Sequence, residues 1–261
     1  MHYRDADDEY FEVFKEYGSS LAEVIGRTDF PKTYRAMFGF CAKANSLKTA
    51  MFECVDTKNP YAFKVLFRCF CEHYLKFTYL WACFVKEKSD RVGSDYFSFC
   101  GAVEAQDYVA AIAMAERLLG NEVVANTRNA IAEFYPDAAK LSARELKQLS
   151  GQFKYRTILR FLADERFAFV AKERPFLAQI VPTYALLSSF VHGGPYTDLE
   201  MANFSQPSVI AECESNAEVV MLMSATVFMF TAAAISREYP EFNGIAPKVN
   251  SIIKRFVADE T

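Results

Sequence analysis

Residues 61–88 read YAFKVLFRCFCEHYLKFTYLWACFVKEK, a run without a glycine or a proline. Within it Lys64, Arg68, Glu72 and Lys76 recur at every fourth position, and nearly everything between them is Phe, Leu, Tyr, Cys, Val or Trp. Side chains four apart share one face of an α-helix. The run therefore reads as a helix that is apolar on all sides except one narrow polar stripe. The stripe faces either solvent or a polar cleft inside the fold, and Arg68 and Glu72 stand at the spacing of an ion pair. A helix with so little polar surface must be enclosed by other helices. The fold class that follows is all-α, an antiparallel helical bundle.

Punctuation on either side divides the chain into further helices. An acidic amphipathic segment near Ala6 to Tyr17 ends at Gly18, Pro31 opens a helix to about Cys54, and Asn59-Pro60 opens the central one. Residues 89–94 read as a loop. Helices follow near Val103 to Leu119, stopped by Gly120-Asn121, and near Glu122 to Phe134, stopped by Tyr135-Pro136. Ser142 and Glu145 have the spacing of a capping box, and Gly151 closes that helix. Phe153 to Arg174 reads as helical, Pro175 and Pro182 bend or restart the path, and Gly193-Gly194-Pro195 stops it. The last two helices run from about Pro207 to Arg237 and from Pro247 to Asp259. No linker or repeat separates these segments. The expectation is one domain over 1–261, with an irregular helical insertion at 89–151 and the C-terminal half of the bundle at 152–261.

Composition supports this reading. The chain has 261 residues, 52% of them apolar, and its 25 Phe and 14 Tyr against 10 Gly and 9 Pro argue against a strand-and-turn architecture. A net charge of −4 excludes coating of nucleic acid or acidic membrane by bulk charge. The charge is segregated, however: residues 140–174 hold 9 basic and 4 acidic side chains, Lys154, Arg156 and Arg160 among them, in an otherwise acidic chain. Such a stretch either solvates the outer faces of helices or attracts phosphate. The seven cysteines contain no C-x-x-C pair and read as reduced core residues, and the acidic N-terminus lacks an apolar signal region, so a cytoplasmic protein is expected. Cys69, Cys71 and His73 do not share a helical face, and neither a metal nor a cofactor is expected. Val219 to Ser236 is uncharged over a length at the lower limit for a membrane span. Its Ser, Thr and Ala content favours a helix enclosed by neighbours.

A second constellation lies at Tyr184-Ala185-Leu186-Leu187-Ser188-Ser189-Phe190-Val191-His192-Gly193-Gly194. Tyr184, Ser188 and His192 recur at i, i+4 and i+8 and line one helical face. His192 falls at the helix C-terminus, where the macrodipole favours imidazolium. The Arg68-x-x-x-Glu72 helix together with Tyr184-x-x-Leu187-Ser188-x-x-Val191-His192-Gly193 resembles uncharacterised all-helical bacterial proteins at the fringe of the HEPN superfamily. The resemblance implies a bundle in which Arg68, Glu72 and His192 converge as catalytic residues in a polar cleft, with Tyr184 and Ser188 supporting them. It also implies metal-independent RNase-like chemistry, often in toxin or antiphage systems and often in dimers. The nuclease signature of that superfamily would place an arginine at 185, 186 or 187, where this chain has Ala185, Leu186 and Leu187. No Gly-rich phosphate loop, G-x-S-x-G elbow or H-E-x-x-H helix occurs. Two functional expectations result. One is a protein that binds or processes RNA or nucleotides, with Lys154, Arg156 and Arg160 on the nucleic acid. The other is a non-catalytic helical module that pairs with itself or with a partner protein.

Overall fold

The computed structural model describes residues 1–121, 127–164 and 174–259. Every regular element among them is helical. α1 spans Tyr3–Val24, α2 Pro31–Asp56 and α3 Pro60–Glu87. A short α4, Arg91–Asp95, runs through a π-helical turn at Tyr96–Cys100 into α5, Gly101–Leu118. The middle of the chain continues with α6 (Thr127–Phe134), α7 (Pro136–Ala139) and α8 (Ala143–Ser150). α9 spans Tyr155–Ala163, α10 Arg174–His192, α11 Pro195–Met201, α12 Pro207–Ile235 and α13 Ile245–Asp259.

The all-α bundle is the observed architecture, and α12 forms its axis, packed by α1, α2, α3 and α13. Tyr34 donates from its hydroxyl to the Ala234 carbonyl at 3.1 Å, Cys41 Sγ lies 3.2 Å from Thr231 Oγ1, and Trp81 stacks on Phe230 with ring centroids 4.5 Å apart. α12 is long and apolar enough to cross a membrane, but 61% of its most apolar window is buried against these neighbours. α1 and α13 are tied at their surfaces by Glu16–Lys248 at 3.2 Å and by Glu9–Arg255. A separate small cluster, Ala102, Ile131, Ala138 and Leu146, sits within residues 89–151 and holds α5 to α8 together.

Several boundaries differ from the sequence reading for identifiable reasons. Gly18 does not end α1: its φ is not positive, and it is buried within a helix that continues to Val24. The expected loop at 89–94 is partly helical. Asp90 begins it by reaching across the fold: its carboxylate accepts the Thr33 N–H at 2.7 Å and the Lys32 N–H at 3.2 Å, capping α2, whose own N-cap residue Phe30 has no capping side chain. Gly93 then lies so close to Thr33 that a Cβ would stand 2.3 Å from the Thr33 nitrogen. The helix expected over Phe153 to Arg174 is a single 3-10 turn followed by α9, which stops at Ala163 where Asp164 turns extended. Residues 165–173, and 122–126 at the expected start of α6, lie outside the described residues. Pro182 sits inside α10 rather than restarting it, and α11 begins on Pro195, where only a stop was expected. The capping box forms as read: Ser142 and Glu145 exchange side-chain to backbone hydrogen bonds.

Candidate functional site

α3 and α10 run antiparallel: Tyr61 near the start of α3 donates to the Phe190 carbonyl at 3.1 Å, while Arg68, two turns on, meets Ser188 and Tyr184. The guanidinium carbon of Arg68 lies over the Tyr184 ring, 3.9 Å from its centroid. Tyr184 is itself stacked on Tyr155 of α9 at 4.1 Å and 11°. Three elements thus contribute to one column of Arg68, Tyr184 and Tyr155. A guanidinium held over an aromatic face is attracted by the ring quadrupole while its edge remains free to donate hydrogen bonds.

The edges of the column are closed by hydrogen bonds. Arg68 pairs with Glu72 through Nη1, and its Nε donates a long bond of 3.4 Å to Ser188 Oγ. Ser188 in turn donates to the Tyr184 carbonyl one turn back, at 2.9 Å. Glu72 takes a second cation, Lys76, at 2.8 Å. Partial burial alone would raise its carboxyl, but the hydrogen bonds and charges of Lys76 and Arg68 outweigh that and hold it at about 2. At the other end of the stripe Lys64 is buried, 3.4 Å from Glu212 and facing the Phe190 and Phe204 rings. The stripe read from the sequence therefore faces inward, toward α10 and α12. The gap bounded by Glu72, Leu75, Lys76, Phe153, Tyr155 and Ile158 is too small to admit a water molecule.

Of the five residues read as catalytic or supporting, Arg68, Glu72, Tyr184 and Ser188 come together, and His192 does not join them. It ends α10, four residues or about 6 Å beyond Ser188 along the helix, on the side away from Glu72. It is exposed, and no hydrogen bond, ion pair or ring contact links it to Arg68 or Glu72. The turn after it is built by Gly193 at φ 63°, with the Gly194 N–H bonded to the Ser189 carbonyl at 2.9 Å. Sequence reasoning missed Tyr155, the outer member of the column. Its only signal was an aromatic next to the cations Lys154 and Arg156.

Lys154, Arg156 and Arg160 are exposed on the outer side of α9, and none has an ion-pair partner among the described residues. Arg144 and Lys147 on α8 are exposed in the same way. The remaining constellation, Cys69, Cys71 and His73, is divided. Cys71 is buried in the core with its thiol pushed up to about 12, mainly by desolvation, while Cys69 is half-buried. His73 has a buried Nδ1 without a hydrogen-bond partner, and burial followed by the charges of Lys43 and Lys76 lowers its pKa. Among the described residues no group of three His, Cys, Asp or Glu side chains is placed to hold a metal.

No family model, curated protein or solved structure matches this chain.

Proposed function

We propose that this protein is a non-catalytic helical interaction module on a HEPN-like scaffold, in which the Arg68 column locks α3, α9 and α10 in register. One observation carries this reading: the largely buried Arg68 guanidinium is engaged by the protein's own Tyr184, Glu72 and Ser188, and His192 is not among its neighbours. A cation that stabilises charge in a transition state must have a donor free to meet it. The acid–base residue must also be within hydrogen-bond reach of the reacting atoms. Here Arg68 is already paired with Glu72 and set over Tyr184, and His192 stands apart on the surface, out of hydrogen-bond reach of it. The test is incubation of mixed RNA with the wild-type chain, Arg68→Ala and His192→Ala. Intact RNA in all three, with Arg68→Ala alone less stable, is the expected outcome. Degradation by the wild type that both substitutions abolish refutes the reading.

A second reading, an RNA- or nucleotide-binding protein of the kind found in toxin or antiphage systems, is favoured by the exposed cations on α8 and α9, which have no ion-pair partner among the described residues. It predicts that binding of a single-stranded RNA weakens steeply with salt and is lost in Lys154→Glu/Arg156→Glu/Arg160→Glu. Binding that this triple variant retains dismisses it.

A further inference from the structure

α9 and α10 are joined at one end of their contact. Tyr155, at the start of α9, stacks on Tyr184 and donates its hydroxyl to the Val181 carbonyl at 3.0 Å. Beyond that junction the two helices enclose a groove of about 330 Å³, whose described lining is Leu159, Leu162 and Ala163 from α9 and Leu177, Ala178 and Val181 from α10. No polar side chain is among them. The volume is at the lower end for small-molecule sites, with room for about ten groups the size of a water or a methylene.

Charge is confined to one edge of this groove. At about 3.6 residues per turn, Leu162, Leu159 and Ala163 succeed one another round α9, and Arg156 and Arg160 come next, toward solvent. Both arginines are exposed, and neither has an ion-pair partner among the described residues, Asp164 at the end of α9 included. The sequences of α9 and α10 contain no Asp or Glu, so the walls supply no anion of their own to these cations.

An apolar slot with a cationic rim selects a ligand that is apolar over most of its length and anionic at one end. A groove of this volume does not hold a helix about 10 Å across, and two helical walls offer an extended peptide no row of backbone partners. A nucleic-acid base would bury its polar edges against Leu and Val. A hydrocarbon chain needs no such partners, and a guanidinium receives a carboxylate through two parallel N–H donors.

We propose that the groove between α9 and α10 binds a medium-chain fatty acid, its acyl chain between Leu159 and Val181 and its carboxylate on Arg156 and Arg160. This goes beyond the interaction-module reading and does not depend on it.

The experiment is titration calorimetry of the full chain with sodium decanoate, with decanol and inorganic phosphate as the two halves of the ligand. Decanoate should bind one molecule per chain, about tenfold more tightly than decanol, and phosphate alone should not bind at the same concentrations. Affinity should rise about threefold per methylene from hexanoate to decanoate. Ala178→Phe, at an exposed position, fills the slot without changing charge and should weaken binding about tenfold or more. Arg156→Gln/Arg160→Gln should bring decanoate down to the level of decanol, while Arg144→Gln, which removes an exposed cation of α8, should change nothing. Circular dichroism verifies that each variant folds. Absence of saturable decanoate binding overturns the proposal, as does binding that survives Ala178→Phe, decanol that matches decanoate on the wild type, or phosphate that matches it. RNA binding, which would draw on the same two arginines, is distinguished because Ala178→Phe leaves it intact. Failure of the interaction-module reading is seen separately, as RNA cleavage dependent on Arg68 and His192.

Discussion

Removal of Arg68 separates a structural lock from a functional site, because the two make opposite predictions for stability. The side chain is largely desolvated and lies over Tyr184 at 3.9 Å, a geometry that contributes about 2 kcal/mol. Its pair with Glu72 is partly exposed, and Glu72 keeps Lys76, so that pair adds only about 0.5–1 kcal/mol. The 3.4 Å bond to Ser188 is too long to add much. Arg68→Ala is therefore expected to cost about 2.5–3 kcal/mol, a fall in Tm of about 5–12 °C for a chain of this size. Arg68→Lys keeps the charge but not the stacked plane and should lose roughly half as much. The stack itself is isolated by a double-mutant cycle with Arg68→Met and Tyr184→Leu, read by urea unfolding, where a coupling of about 1–2 kcal/mol is expected. A coupling below about 0.3 kcal/mol, or an Arg68→Met protein as stable as the wild type, refutes the lock. Undiminished stability would mark a residue kept for function at the expense of the fold.

Glu72 makes the bundle acid-sensitive. Its folded pKa of about 2 lies below the ordinary 4.5, so the unfolded chain binds the proton more tightly, and the stabilisation present above about pH 5 is lost as the pH falls toward 2. For a carboxylate one-third exposed this amounts to about 1–2 kcal/mol after solvent screening. Glu72→Gln should flatten that part of a stability–pH profile, and an unchanged slope would contradict the assignment. In the core, Lys48 is paired with Asp7 and lies over the Tyr10 and Phe52 rings; burial lowers the lysine and raises the aspartate, so desolvation outweighs the pairing for both. Lys48→Met or Asp7→Leu alone should cost about 3–5 kcal/mol, while the double replacement should come within about 1 kcal/mol of wild type; chemical denaturation of the three variants provides the measurement. Gly93→Ala drives a methyl into the Thr33 backbone and should cost about 3 kcal/mol or more. A Tm within a degree of wild type would show that the α2–α4 contact yields freely.

The sequence made the helices legible where local signals agreed. The Pro31 and Asn59-Pro60 starts, the Ser142–Glu145 box and the apolar run of α12 each state their structure within a few residues. It failed where a partner distant in sequence decided the outcome. Asp90, which leads into α4, caps α2 from across the fold; α11 is missed for a local reason instead, because the glycine stop and the Pro195 start adjoin. The four-residue stripe of α3 named Arg68 and Glu72, and the i, i+4 spacing of α10 named Tyr184 and Ser188, because periodicity reports which residues share a face. It does not report how far along a neighbouring helix that face extends. His192 shares the face of Ser188 and lies a turn beyond the column, and no pattern within α10 encodes that offset.

The position of α12 has a consequence for how the chain is made. The helix around which α1, α2 and α3 pack is encoded roughly 150 residues after α2 ends. At elongation rates of about 5–20 residues per second, the early helices leave the ribosome on the order of ten to thirty seconds before their axis does. Throughout that interval Tyr10, Phe40 and Phe70 lack the α12 side chains, Phe228 and Val227, that they lie against in the finished fold. Expression yield should therefore respond to cotranslational chaperones and slow culture temperature more strongly than the stability of the finished fold would indicate.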